Sequence, residues 1–151
     1  MLFEIQRVIK MKKTVIISVC LIIAVLIGAF FLSDNTPDTS GIWENAMYTE
    51  DAELGEGKKT VSIDVIAEGE KVTFTLHSDK ETVGDALKEH NLIDGEEGSY
   101  GLYVKFVNGI KADYDENQTY WAFCKGSKPT STGVDVTEFK DGEKYELVYT
   151  K

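Results

Sequence analysis

An uncharged apolar run at residues 14–33, TVIISVCLIIAVLIGAFFLS, constrains this chain of 151 residues more than any other feature. A helix of that length rises about 30 Å, which matches the hydrocarbon thickness of a bilayer. Basic residues precede the run and acidic residues follow it, so the positive-inside rule puts the N-terminus in the cytoplasm and the remainder outside. We therefore predict that residues 1–33 form a cytoplasmic N-terminus and a single-pass signal anchor in the cell membrane.

Two points about this N-terminal region stay open. Met1 and Met11 are both candidate start sites, because Met11 is followed by two lysines, as in many export signals. A cleaved signal peptide has an apolar core of about 7–15 residues and small residues before the cut. The apolar run here ends in Phe30, Phe31 and Leu32, which favours an uncleaved anchor over cleavage.

The charge of the chain is strongly acidic, with 16 Lys and Arg against 26 Asp and Glu. Residues 1–13 hold four of the basic residues and one acidic residue, which leaves 12 basic and 25 acidic residues in the rest of the chain. Affinity for nucleic acids comes largely from Lys and Arg that neutralise phosphates. Nucleic acid is therefore excluded as a partner.

Two cysteines are present, Cys20 in the apolar run and Cys124 in the body. The body therefore has no pair for an intrachain disulfide, and the spacings typical of zinc and redox sites are absent. We interpret Cys124 as a small buried hydrophobic residue. A reactive thiol and a soft metal ligand are the alternatives.

Residues 34–58 show no periodicity and are rich in acidic residues, Gly, Thr and Ser. This composition predicts a linker between the anchor and a domain at residues 59–151. Three apolar or aromatic residues are unexpected in a spacer, and they either dock on the domain or lie at the membrane interface. These residues are Trp43, Met47 and Tyr48.

The domain begins with two alternating runs around a Gly-containing turn, at residues 61–65 and 72–76, which predict a β-hairpin. Thr82 and Asp85 resemble a capping box at the start of a short helix. Further strands are predicted at residues 102–107, as a central strand, and at residues 144–149, as the closing strand. The order predicts an α+β fold, a β-grasp-like mixed sheet with one crossing helix.

The stretch at residues 120–134, YWAFCKGSKPTSTGV, combines alternating aromatic residues with a loop of small hydroxyl residues. Rings beside convergent polar groups are typical of the wall of a small-molecule pocket. Alternating aromatic residues on a strand are also typical of an ordinary hydrophobic core. Both interpretations of Trp121 and Phe123 are open, and the core interpretation is the commoner.

Catalytic and metal-binding patterns are missing from the sequence. His77 and His90 fall on different predicted elements, and neither nucleophile motifs nor phosphate-binding glycine motifs occur. Acidic residues at 113–116 resemble a calcium loop only loosely, since the full spacing with its Gly and terminal Glu is absent. We predict an exposed acidic loop there, no resident metal or cofactor, and no enzymatic activity.

Residues 98–149 resemble a known family through GSYGLYVKFVNGIKA, YWAFCKG and TSTGVDVTEFKDGEKYELVY. The combination resembles the C-terminal β-domain of transcobalamin and intrinsic factor, and especially the small exported bacterial members of that family. The resemblance implies a β-grasp domain that contacts a corrinoid such as cobalamin. It implies these ligand-facing positions: Leu102, Tyr103, Tyr120, Trp121, Phe123, Thr132, Gly133 and Val134.

One departure from the family limits what the resemblance implies. The animal carriers have a separate α-helical domain that covers the other side of the ligand, and this chain has none. A solitary β-domain would bind modestly unless a partner completes the pocket. The resemblance implies a membrane-anchored extracytoplasmic module that binds a corrinoid and passes it to a transporter. The alternative is a cell-surface protein-interaction module without a small ligand.

Overall fold

The computed structural model describes residues 41–151. The predicted anchor, the two candidate start sites and residues 34–40 of the predicted linker lie outside the described residues. Among residues 41–151, no helix combines the length and apolar character needed to cross a membrane.

Residues 41–151 form an α+β structure dominated by sheet, as predicted. A six-stranded sheet has the order β1-β3-β2-β9-β7-β8, and a three-stranded sheet has the order β4-β5-β6. The strands are β1 (Ala52–Gly55), β2 (Lys59–Ala67), β3 (Glu70–Ser78), β4 (Ile93–Gly98), β5 (Gly101–Val107), β6 (Ile110–Lys111), β7 (Tyr120–Lys125), β8 (Lys128–Pro129) and β9 (Lys144–Thr150). The helices are a 3-10 helix (Gly41–Asn45), α1 (Val83–Glu89) and α2 (Tyr114–Asn117).

The predicted hairpin is confirmed as β2 and β3, which pair antiparallel over their whole length. Ile63 lies opposite Phe74, and Val65 lies opposite Val72, on the face that is buried. Each cross-strand pair removes apolar area from water, at about 25 cal/mol per Å². This face forms the floor of the hydrophobic core.

The predicted helix is confirmed as α1, which packs on that core. The Thr82 hydroxyl accepts a hydrogen bond from the Asp85 N–H at 3.1 Å, as expected for a helix cap. Val83, Ala86 and Leu87 are buried, whereas His90 ends the helix as its C-cap. The helical period of the apolar residues therefore matches the face that meets the sheet.

The predicted closing strand, β9, lies inside the large sheet and not at its edge. It pairs parallel to β2 and antiparallel to β7, which makes the sheet mixed. Tyr145 and Leu147 are buried on the core face, as their alternation predicts. The alternation of a strand gives its buried face, but the order of strands in a sheet depends on long-range pairing.

The prediction of a central strand at residues 102–107 is wrong for the main sheet. This strand, β5, is the middle strand of the small sheet, between β4 and β6. Tyr103 is 42% exposed and Phe106 is 36% exposed, so one side of the strand faces solvent. Its nearly continuous apolar run therefore supplies both core contacts and exposed rings.

The linker prediction does not hold for residues 41–58. Trp43 is only 2% exposed and its Nε1–H donates to the Ala67 carbonyl at 3.0 Å. The Asn108 side chain bonds both the N–H and the carbonyl of Tyr48, at 2.9 and 2.7 Å. Strand β1 then pairs parallel to β3. The composition predicts a linker because this segment is rich in acidic and polar residues, but a few buried apolar side chains suffice to dock it on the domain.

Candidate functional site

The predicted ligand face consists of the eight residues that the resemblance implies, and they lie on three elements. Leu102 and Tyr103 are on β5, three aromatic residues are on β7, and the rest are in the loop at residues 130–137. Strand β5 lies against β7. The Leu102 N–H donates to Asp135 Oδ2 at 2.9 Å, which joins β5 to the loop. The fold thus brings all three elements together.

Exposure divides these eight residues into two groups. Tyr103 and Tyr120 are 42% and 38% exposed, and Thr132 and Gly133 are also exposed. The others are half-buried or buried: Leu102, Phe123, Trp121 and Val134. The exposed four are accessible to solvent, whereas the others pack inward. Tyr120 projects from the side of β7 opposite Trp121 and Phe123, because successive side chains of a strand alternate.

The two rings that anchor the aromatic strand are engaged in internal packing. Trp121 is 7% exposed, and its Nε1–H donates to the Ile110 carbonyl at 3.3 Å. Its ring meets that of Tyr149 edge to face, with centroids 5.4 Å apart. Phe123 stacks on Tyr145 with centroids 5.1 Å apart. This arrangement matches the core interpretation of the strand, and a ligand could reach Trp121 only if the structure opened.

The hydroxyl residues of the loop are ordered by their own hydrogen bonds. Thr130 Oγ1 lies 3.0 Å from the Phe123 carbonyl oxygen and 2.7 Å from the Thr132 carbonyl oxygen, and its one proton is shared between these two acceptors. The Thr132 and Thr137 hydroxyls lie 2.9 Å apart, and Thr137 donates to the Gly133 carbonyl. The loop is therefore shaped before any ligand arrives, which lowers the entropic cost of binding.

Asp135 is a residue at this face that sequence reasoning missed. Its Oδ1 is buried without a hydrogen-bond partner, while Oδ2 accepts from Leu102. A side chain at Gly101, whose φ is +99°, would overlap the Asp135 carboxylate. The Gly133 position is also tight, because a Cβ there would lie 2.9 Å from Oδ1. No local motif marks Asp135, since its partners are distant in sequence.

A second candidate site is the histidine cleft, a cavity of about 560 Å³ at the ends of β1, β3 and α1. Both histidines of the chain line it, although the sequence puts them on different elements. His77 Nε2 lies 2.7 Å from Glu53 Oε1, and His77 Nδ1 lies 2.9 Å from Thr60 Oγ1. His90 Nε2 is buried and has no hydrogen-bond partner.

Cys124 is the free cysteine of residues 41–151, and it is buried. Burial raises the pKa of its thiol, and the nearby Glu146 carboxylate raises it further. A raised pKa disfavours the thiolate, which is the reactive and metal-binding form. The side chain therefore acts as a small hydrophobic residue on β7.

The predicted acidic loop contains the short helix α2, which Asp113 caps by accepting the Asp115 N–H at 3.1 Å. Lys105 and Lys111 each place Nζ 3.5 Å from Asp113 Oδ2. Burial alone would raise the pKa of this carboxyl, but the two lysines and the backbone donors lower it below its ordinary 3.8. The carboxylate is thus occupied by cations of the chain itself.

This geometry predicts the effect of Asp113→Asn, which keeps a capping oxygen but removes the charge. A depressed carboxyl pKa stabilises the folded state above the unfolded pKa and loses that effect as the pH falls. We expect the variant to be less stable at neutral pH, and the difference to narrow below pH 3.8. Urea unfolding of the variant and the unchanged chain, at neutral pH and below pH 3.8, measures the difference in the free energy of unfolding. The matched control is Asp115→Asn. An equal loss of stability with the same pH dependence in this control would contradict the prediction.

Metal donors are not preassembled in the part of the chain that the structure describes. Among residues 41–151, no three His, Cys, Asp or Glu side chains are arranged to hold a metal ion. The histidine cleft is lined by His77, His90 and three acidic residues, but the His77 ring is paired with Thr60 and Glu53 on the sheet face away from the core.

Comparison with known proteins identifies relatives of this domain. Residues 80–151 match the family described as a domain of unknown function, DUF4430. A crystal structure of a Ruminococcus gnavus ATCC 29149 protein, provisionally named metal-binding, is 33% identical and has a TM-score of 0.59. The match covers 62% of this chain and 98% of that protein. This chain therefore belongs to the same family as the Ruminococcus gnavus protein.

A crystal structure of haptocorrin in complex with Cbi is also similar, at 22% identity and a TM-score of 0.47. That match covers 65% of this chain and 27% of haptocorrin. No curated protein sequence matches the chain. Family membership thus rests on the Ruminococcus gnavus protein, and the finer transcobalamin-like assignment stays a prediction from sequence.

Proposed function

We propose that this chain is a membrane-anchored, extracytoplasmic module that binds a small ligand of the corrinoid class. In this proposal residues 14–33 anchor the chain and the β-rich domain is exported. The hairpin of β2 and β3, the helix α1 and the parallel pair of β2 and β9 support a β-grasp fold. The module binds without catalysis, and it passes its ligand to a transporter.

The convergence of β5, β7 and the loop at residues 130–137 carries this proposal. Asp135 joins the loop to β5 through the Leu102 N–H. The Val134 carbonyl accepts the Gly84 N–H at 2.8 Å, which fixes the loop to α1 as well. Leu102 and the loop positions that the resemblance implies, far apart in sequence, are therefore linked by hydrogen bonds.

The exposed part of this face suits a large amphipathic ligand. Tyr103 offers ring surface and a phenolic hydroxyl, while the exposed Thr132 offers the lone pairs of a hydroxyl whose proton is donated to Thr137. Rings of this kind supply contact area at low entropic cost. Because the resemblance implies a second wall that the β-domain does not supply, we propose that a partner subunit or transporter completes the pocket.

A calorimetric titration of cobalamin and cobinamide into the full-length chain in detergent tests the proposal. We expect saturable binding with a dissociation constant on the order of 1 µM, about −8 kcal/mol. Tyr103→Ala should weaken it roughly tenfold, because exposed aromatic anchors cost more than about 1 kcal/mol on truncation. The matched control Tyr114→Ala removes an exposed ring on α2 and should leave affinity unchanged. Absence of heat, or equal effects of both variants, would contradict the proposal.

A protein-interaction module is the alternative function, and Tyr100 favours it. This tyrosine is fully exposed in the turn between β4 and β5. Exposed aromatic residues are enriched at protein interfaces. A photo-crosslinking residue at position 100 should capture one membrane protein in cells if this alternative holds. The same residue at position 114 is the control.

Metal ions are a second class of small ligand to consider. The Ruminococcus gnavus relative is provisionally named metal-binding, and this chain is 33% identical to it. Imidazole is the commonest protein ligand of transition metals. A metal ion would add to the corrinoid proposal and would not replace it, since the histidines lie outside the predicted ligand face.

A further inference from the structure

Asn108 lies in the turn between β5 and β6, where it is fully buried and each of its four polar groups is hydrogen-bonded. Its backbone N–H donates to the Leu92 carbonyl at 2.8 Å, and its backbone carbonyl accepts the Met47 N–H at 2.9 Å. Its side-chain amide bonds both the N–H and the carbonyl of Tyr48, at 2.9 and 2.7 Å. Asn108 is therefore the main polar contact of the docked segment, residues 41–51, with this turn.

Asn108 is also the one asparagine of the chain that a glycine follows, which makes it chemically labile. Without a side chain at Gly109, the backbone nitrogen of that residue can reach the Asn108 Cγ with little steric hindrance. Its attack forms the bond from Gly109 N to Asn108 Cγ and breaks the bond from Cγ to Nδ2, and ammonia leaves with the Gly109 amide proton. Water then opens the cyclic succinimide at either carbonyl, which leaves aspartate or isoaspartate at position 108.

The docked segment opposes this reaction. Ring closure requires the Asn108 side chain to turn towards Gly109 N, whereas its two bonds to Tyr48 hold the amide in place. The segment also packs directly on the turn, because a Cβ at Gly109 would lie 2.4 Å from the Asn45 carbonyl oxygen. Full burial of Asn108 excludes the water that opens the succinimide. The reaction therefore needs the segment to leave the turn first.

The products cannot restore the docked arrangement. Aspartate lacks the Nδ2 donor, so an acceptor oxygen would face the Tyr48 carbonyl where a hydrogen bond of 2.7 Å now lies. A buried charge beside an unpaired buried carbonyl is costly. Isoaspartate also adds a methylene to the backbone of a turn in which Asn108 has a φ of +53°. Either product therefore opposes return of the segment.

We propose that Asn108 is a site of spontaneous deamidation, that docking of residues 41–51 suppresses the reaction, and that the reaction releases this segment irreversibly. The rate then follows the population of the undocked state, since only that state reacts. Release would return the segment to the state that its composition predicts, an undocked linker. The proposal is independent of ligand binding, because Asn108 is not part of the predicted ligand face.

The first test incubates the full-length chain in detergent at mildly alkaline pH and follows deamidation of Asn108 by mass spectrometry of proteolytic peptides. We expect it to be at least about tenfold faster in urea than in native buffer, and at least about tenfold faster in Trp43→Ala than in the unchanged chain. Met47→Ala, which truncates a half-exposed side chain of the same segment, is the matched control and should not change the rate. Trp43→Phe keeps the ring and should give an intermediate rate, and circular dichroism checks that each variant folds.

The second test measures release of the segment. Asn108→Asp should accelerate protease cleavage within residues 41–51 at least about tenfold, whereas Asn91→Asp, at an exposed asparagine that also has a positive φ, should not. The deamidated chain itself, separated from the unmodified chain by anion exchange through its added charge, should be cleaved as Asn108→Asp is, and it guards against loss of folding in that variant.

Two outcomes would overturn the proposal. Equal deamidation rates of Asn108 in native buffer and in urea would show that docking does not suppress the reaction. Unchanged cleavage within residues 41–51, in both Asn108→Asp and the deamidated chain, would show that the reaction does not release the segment.

Discussion

Trp121→Ala is expected to lower the free energy of unfolding by about 3–5 kcal/mol, the usual cost of removing a large buried aromatic side chain. Trp121 is 7% exposed, packs edge to face on Tyr149 and donates its ring N–H to the Ile110 carbonyl. The substitution leaves a cavity and an unpaired carbonyl together. Urea unfolding followed by far-UV circular dichroism measures the change. A loss of this size is a large part of the stability of a small domain.

Two further variants separate packing from ligand contact at this strand. Trp121→Phe keeps most of the packing and loses the hydrogen bond, so we expect a cost of about 1 kcal/mol from that bond. Tyr120→Ala changes the neighbouring exposed ring and should cost less than about 0.5 kcal/mol. If Trp121→Ala folds with unchanged stability and only corrinoid binding is lost, the ring belongs to the ligand site and not to the core.

Trp43→Ala is expected to cost about 3 kcal/mol or more, although the residue lies in a segment whose composition predicts a linker. Its indole is 2% exposed and belongs to the same hydrophobic core as Val65 and Ala67. Its N–H donates to the Ala67 carbonyl. Loss of the ring should free the segment before β1, so cleavage by a protease at residues 41–51 should accelerate as well.

Met47→Ala is the matched control for this prediction. Met47 is in the same segment but about half exposed, so its truncation should cost less than about 0.5 kcal/mol. Equal stability losses in the two variants, or no change in either, would show that the segment does not dock on the domain through Trp43.

The sequence predicts those parts of the fold that depend on interactions between neighbouring residues. The alternation in β2 and β3 and the Thr82 cap of α1 depend on neighbouring residues, and both are confirmed. The interior place of β9 depends on pairing with β2, about 80 positions earlier. The docking of Trp43 on Ala67 likewise depends on a distant contact. Contacts between residues that are distant in sequence leave no periodicity or motif by which the sequence could reveal them.

The candidate sites also combine features that the local sequence predicts with features that depend on long-range contacts. The aromatic strand is visible in sequence, but alternation does not distinguish a core ring such as Trp121 from an exposed one such as Tyr120. Asp135 acquires its role through Leu102, 33 positions away. The histidine cleft exists only because β3 and α1 end at the same place. A site formed by residues that are distant in sequence can be recognised only from the tertiary structure.

Corrinoid binding is tested most directly by an amide NMR titration of the isotope-labelled full-length chain with cobinamide. We predict saturable shifts at the exposed ligand face, at Tyr103, Thr132 and Gly133, with little change at His77 and His90. Shifts confined to other surfaces, or no shifts at cobinamide concentrations well above micromolar, would contradict the claim that this face binds a corrinoid.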